Sequence, residues 1–186
     1  MDIKTYLRQC VVTVITCVVW FSLPAAAQEA RLGDLMAQLR EAEPAAATRL
    51  TREIELEWSR SGSASLNMLL ERGREALERE EYRTAVGHLT ALTDHAPDFA
   101  EGWHSRARAY FALDLYGPAI EDLGQALRLN PDHFQALFGL GVMFQELGDT
   151  RRAAEAFQRA LDLHPNFEEA QEALKRLERT GIGRTL

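Results

Sequence analysis

The chain has 186 residues, 46% of them apolar and 26% charged, with a formal net charge of −7. That size fits one domain with extensions, and the mixture is that of a globular chain rather than a disordered one. Mild acidity and the lack of a basic face argue against nucleic-acid binding, which gathers Lys and Arg against phosphate.

From the start of the chain, Lys4 and Arg8 precede an uncharged run from Cys10 to Ala27 whose apolar heart is Val11 to Leu23. Pro24 then breaks the run, and Ala25-Ala26-Ala27 supplies the small residues a signal peptidase accepts. Basic start, short apolar centre and small-residue end predict a secretory signal over 1–27, cleaved between Ala27 and Gln28. The competing reading is a single N-terminal membrane anchor, left in place if cleavage does not occur. The run falls short of the roughly 20 apolar residues a span needs. Cleavage removes Cys10 and Cys17, the two cysteines of the chain, and with them any disulfide or cysteine metal site. The expected mature form is exported, with the periplasm as its compartment, and has no membrane segment.

Next, Leu32, Leu35, Met36 and Leu39 form one stripe at helical spacing, and Leu50, Ile54 and Trp58 form a second, with Glu43-Pro44 between them. This predicts a helical hairpin over 28–63, closed by Ser61-Gly62-Ser63 as a hinge. Its expected role is to cover the first of the repeat units downstream; binding a partner or pairing two chains are the alternatives.

Pro97, Pro131 and Pro165 are spaced 34 residues apart, and the rest of the pattern repeats with them. Over units 66–99, 100–133 and 134–167, a small residue recurs as Gly73, Ala107 and Gly141, and another as Ala85, Ala119 and Ala153. Large apolar places read Leu69, Trp103 and Leu137, then Leu89, Leu123 and Phe157. Small residues let paired helices approach, and large ones fill the gaps between pairs. Each proline ends a second helix. Asp98, Asp132 and Asn166 come directly after the prolines, with Glu101, Gln135 and Glu169 three residues on, which predicts a capping box at each restart. Gly117-Pro118 and Gly148-Asp149 are read as turns inside units. Four places depart from the pattern: Leu92 is large where Ala126 and Ala160 are small, Ala76 is small, and Arg72 and Arg106 stand where Leu140 is apolar. Leu92 is expected to fill the space that Ala76 leaves.

A 34-residue period with these places in register resembles the tetratricopeptide-repeat family over 64–167. The resemblance implies an all-α fold: a right-handed superhelical solenoid of antiparallel helix pairs. It would hold three units between the N-terminal hairpin and a C-terminal capping helix in 168–186. Phe167, Ala170, Leu174 and Leu177 carry that last amphipathic stripe, and 180–186 are expected to fray. The resemblance also implies a concave groove lined by the first helix of each unit. Carried onto this chain, the groove places are Asn67, Leu70, Arg74 and Leu77 in the first unit and Glu101, His104, Arg108 and Phe111 in the second. In the third they are Gln135, Phe138, Val142 and Gln145. Arg74 and Arg108 could hold a carboxylate, which hints at an acidic or C-terminal segment as ligand. Repeats that grip chaperone tails use a clamp whose places here hold Leu70, Arg74, Ser105, Gln135 and Gly139; one basic residue among them does not support that ligand.

No catalytic constellation is visible. His88, His95, His104, His133 and His164 form no metal pair at helical spacing, and the histidines near unit junctions are expected to be solvated. Gly139-Leu140-Gly141 lies in a repeat helix, lacks a third glycine and has no strand before it, so it is not a dinucleotide loop. The sequence therefore points to a non-enzymatic exported protein, without cofactor or metal, that binds a protein or peptide in its groove as an adaptor or scaffold. The alternative is a structural envelope protein that self-assembles through the hairpin.

Overall fold

The computed structural model describes residues 28–182. The expected leader, with Ala27 at its end, lies outside the described residues; Gln28 opens the first helix. The described residues form nine helices and no strand: α1 (28–41), α2 (Pro44–Trp58), α3 (Ala64–Glu78), α4 (Tyr82–His95), α5 (Ala100–Ala112), α6 (Tyr116–Leu129), α7 (Phe134–Glu146), α8 (Thr150–Leu163) and α9 (Glu168–Ile182). No described helix is long and apolar enough to cross a membrane.

Three antiparallel pairs, α3–α4, α5–α6 and α7–α8, stack in sequence order to form a solenoid, and α9 packs on α8 as the final cover. The repeated small residues set how closely helices pair. A Cβ built on Gly73 would lie 2.5 Å from Leu89, and one on Gly141 would collide with the ring of Phe157. Each unit also turns by the same device. Glu80, Asp114 and Gly148 have φ of 59°, 58° and 76°, and the N–H groups of Glu81, Leu115 and Asp149 donate to Ala76, Tyr110 and Phe144 carbonyls at 2.8–2.9 Å. These are three Schellman caps in register. The left-handed residue of the second unit is thus Asp114, and Gly117-Pro118, expected to be a turn, lies in the first turn of α6.

The capping boxes do not form. The N-cap of α5 is Phe99, with no side-chain bond, and that of α7 is His133, whose ring accepts from the Ala136 N–H. The helices start one residue later than Asp98 and Asp132 would require, so Glu101 and Gln135 turn to other partners. At the far end α9 continues through Thr180 to Ile182, beyond the point where fraying was expected; 183–186 lie outside the described residues.

The odd places in the repeat have structural partners. Leu92 is fully buried in one cluster with Ala76, and a Cβ on Gly102 would stand 3.2 Å from it. The large side chain fills the space between two small ones. Arg106 is mostly buried and pairs with Asp122 through two bonds, Nε to Oδ2 at 2.7 Å and Nη2 to Oδ1 at 2.8 Å. Its Nη1 reaches Thr93 Oγ1 at 2.8 Å, so one guanidinium joins α4, α5 and α6.

The hairpin departs most from expectation. Leu35, Met36, Leu39, Leu50, Ile54 and Trp58 are all buried, in a cluster with Phe134, Leu137 and Ala160 of the third unit. The hairpin therefore does not cover the end of the first unit, where Met68 stays 51% exposed. It lies along the rim where one unit passes to the next. Asn166 Nδ2 donates to the Ala42 carbonyl (2.7 Å), Thr51 meets His164 (3.0 Å) and Gln135 donates to Glu55 (2.7 Å). Farther along α2, Trp58 stacks on His133, and next to it Ser59 accepts from Arg74 (2.9 Å). Thus α2 runs back along the solenoid, from its C-terminal end to the first unit. That course lets a short hinge, with Gly62 at φ 79°, join a hairpin docked on the third unit to α3.

Candidate partner-binding groove

The first helices also touch one another, α3 with α5 and α5 with α7, so they form the inner, concave layer. A cavity of about 660 Å³ opens there. Nine of the twelve groove places inferred from the repeat line it: Arg74 and Leu77 on α3, then Glu101, His104, Arg108 and Phe111 on α5, then Gln135, Phe138 and Val142 on α7. The other three do not. Leu70 is 2% exposed and packs with Leu89 and Leu92 in the first core cluster, so it is closed to any ligand. Asn67 ties down the hinge, its Oδ1 accepting from the Ser61 N–H at 2.9 Å. Gln145 is not on the cavity wall, and its buried Oε1 has no hydrogen-bond partner among the described residues.

Several wall residues escaped the sequence reading. Glu55 comes from the hairpin, and Phe167 and Glu169 close the cavity from the C-terminal side. Glu169 was legible in principle, being in register with Glu101 and Gln135; nothing in the local sequence of α2 marks Glu55 as a groove residue. A second cavity of about 570 Å³ adjoins the first, sharing Glu55, Gln135, Phe167 and Glu169 with it.

At the rim stands a buried polar cluster. Glu101 Oε1 accepts from Arg74 Nη2 at 2.6 Å and from Ser105 Oγ at 3.2 Å, with His104 Nδ1 at 3.3 Å. Glu101 Oε2 faces His133 Nε2 at 3.0 Å. The His104 and His133 rings lie 4.5 Å apart. Both are buried, as is His164 at 5% exposure, so the junction histidines 133 and 164 are not the solvated residues the sequence suggested. Burial alone would raise the Glu101 pKa, but the facing His104 and His133 outweigh it and hold the carboxyl well below its usual range. Burial lowers His104, with Glu101 opposing, and lowers His164, with Glu169 opposing.

Glu101, His104 and His133 bring one oxygen and two nitrogens within 4.8 Å, the spacing of a metal centre. The donor chemistry does not fit one. The Ala136 N–H can only donate, so His133 Nδ1 must accept, which leaves the ring proton on Nε2, directed at Glu101. A metal ligand needs a lone pair there. The Arg74 guanidinium already neutralises the carboxylate. The cluster is a closed hydrogen-bonded network joining groove and hairpin.

The tetratricopeptide-repeat family model matches residues 70–122 and 104–166. A TPR repeat-containing protein of Rhizobium etli is 34% identical over 148 residues, covering 79% of this chain and 72% of that protein. Among solved structures, the first TPR domain of Spaghetti (RPAP3), bound to an HSP90 peptide, is 27% identical with a TM-score of 0.60, over 62% of this chain and 91% of that one. MamA, at 19% identity, shares the fold over 78% of this chain and 82% of its own, with a TM-score of 0.60. The chain belongs to the tetratricopeptide-repeat family, whose repeats serve protein–protein interaction.

Proposed function

We propose that this protein is an exported, non-enzymatic adaptor that holds a segment of a partner protein in its concave groove. The observation that carries this reading is the cavity of about 660 Å³, in which apolar Leu77, Phe111, Phe138 and Val142 stand beside charged Arg108 and Glu169. Apolar walls with a few placed polar groups suit a peptide side chain. The hairpin buries its apolar stripe within the same chain, which favours the adaptor reading over self-assembly through that stripe. Export rests on the composition of 1–27.

Site-specific photo-crosslinking in the native host tests the groove, with the reactive residue at Phe138 and a control at Arg159, which is exposed on α8. A discrete adduct from the first position alone supports an adaptor and identifies its partner. Equal adducts from both, or none, count against it. N-terminal sequencing of the protein from a periplasmic fraction tests export: the expected first residue is Gln28, and an intact start at Met1 in the cytoplasm would refute it.

A further inference from the structure

The two arginines of the groove are not equivalent. Arg74 is engaged by buried Glu101 at 2.6 Å and by Ser59 at 2.9 Å, so its charge is cancelled within the protein. Arg108 occupies the same place one unit on, is exposed, and forms no ion pair among the described residues. It is the available cation of the wall.

Opposite charge gathers where the two cavities meet. Glu55 of α2 and Glu169 of α9 both line this saddle, together with Gln135 and Phe167. Neither carboxylate meets a cation among the described residues: Glu55 accepts from the neutral Gln135 amide at 2.7 Å, and Glu169 forms no ion pair. Arg52, which lines the second cavity, pairs with neither. Apolar Phe138 and Val142 line the same cavity as Arg108 and the two carboxylates.

We propose that the groove is selective for a partner segment of mixed charge. An acidic side chain is set against Arg108, apolar side chains lie over Phe138 and Val142, and a lysine or arginine enters between Glu55 and Glu169 beside Phe167. This rests on the groove reading above and adds the chemistry of the occupant. A guanidinium or ammonium suits the saddle through charge-assisted hydrogen bonds to two carboxylates. Opposed charges at the two ends also reject segments of a single sign, since one end would always face a like charge. Because Glu55 belongs to the hairpin, the basic subsite exists only while the hairpin is docked.

A displayed random dodecapeptide library, panned on the purified protein, on Arg108→Glu and on the double variant Glu55→Gln/Glu169→Gln, tests the assignment. Peptides enriched on the unaltered protein should combine acidic, apolar and basic residues. Arg108→Glu should abolish the acidic preference alone, and the double variant the basic preference alone. Each change should weaken an individual peptide about tenfold, the scale of one charge-assisted contact. Selected peptides that crosslink at Phe138 but keep both preferences in both variants would overturn the charge assignment while leaving the groove reading intact. Peptides that crosslink at Arg159, or no enrichment at all, would overturn both.

Discussion

The indole of Trp58 stacks on the imidazole of His133 with ring centroids 4.3 Å apart. His133 in turn bonds Glu101, and Glu101 bonds Arg74 and His104. One aromatic contact thus connects the hairpin to a polar cluster that also lines the groove. Replacing Trp58 by Ala removes the largest buried side chain of α2 and should weaken docking by about 3–5 kcal/mol. Amide hydrogen exchange should then quicken across α1 and α2 while α5 to α8 keep their protection. Unchanged exchange in α1 and α2 would show that Trp58 does not hold the hairpin.

The Arg106–Asp122 pair separates two kinds of contribution. Arg106→Ala should cost about 3–5 kcal/mol, because it leaves the Asp122 carboxylate buried and unpaired. The double change Arg106→Leu/Asp122→Ala installs the residues found at the same places in the third unit, Leu140 and Ala156, and should be close to neutral. Urea denaturation of both variants checks this. A double variant as unstable as the single one would mean that the bonds to Thr90 and Thr93, rather than the ion pair, hold this junction.

Leu92→Ala should cost about 2–5 kcal/mol. The family-like small residue is wrong here, since Ala76 and Gly102 leave a space that Leu92 fills. A stability change near zero in thermal unfolding would mean that the units close over the gap.

Acidification should destabilise the fold in two stages. His104 and His164 are held below the ordinary histidine value of 6.5, so below that pH the unfolded chain takes up protons the folded chain refuses, and stability falls. Glu101 is held below its ordinary 4.5; its contribution is present above that value and is lost on further acidification. Both signs agree. The melting temperature should drop between about pH 7.5 and 5.5 and more steeply below 4.5, and His164→Gln should flatten the first stage. A level profile down to pH 5.5 would contradict this.

Glu80 and Asp114 adopt left-handed φ that the third unit gives to Gly148. Glu80→Gly should therefore stabilise by about 0.5–1 kcal/mol, the relief of strain exceeding the entropy glycine adds to the unfolded chain. A lower melting temperature would show that the strain is smaller than that entropy.

The sequence by itself determined the solenoid. A 34-residue register is a statement about local contacts, since each helix pair packs only on its neighbours, so period, small residues and prolines were enough to place α3 to α9, and the family resemblance they carry supplied half of the residues that line the cavity. The apolar stripes of α1 and α2 likewise announced two helices. What they pack against was not legible, because a stripe specifies that a face is buried and says nothing of which surface buries it. Only the tertiary structure decided that α2 runs back along the rim, that Glu55 joins the groove and that Trp58 covers His133. The polar cluster escaped for the same reason. Glu101 and His104 share one helix face, but His133, the N-cap of α7, reaches them only because stacking sets the start of α7 beside α5.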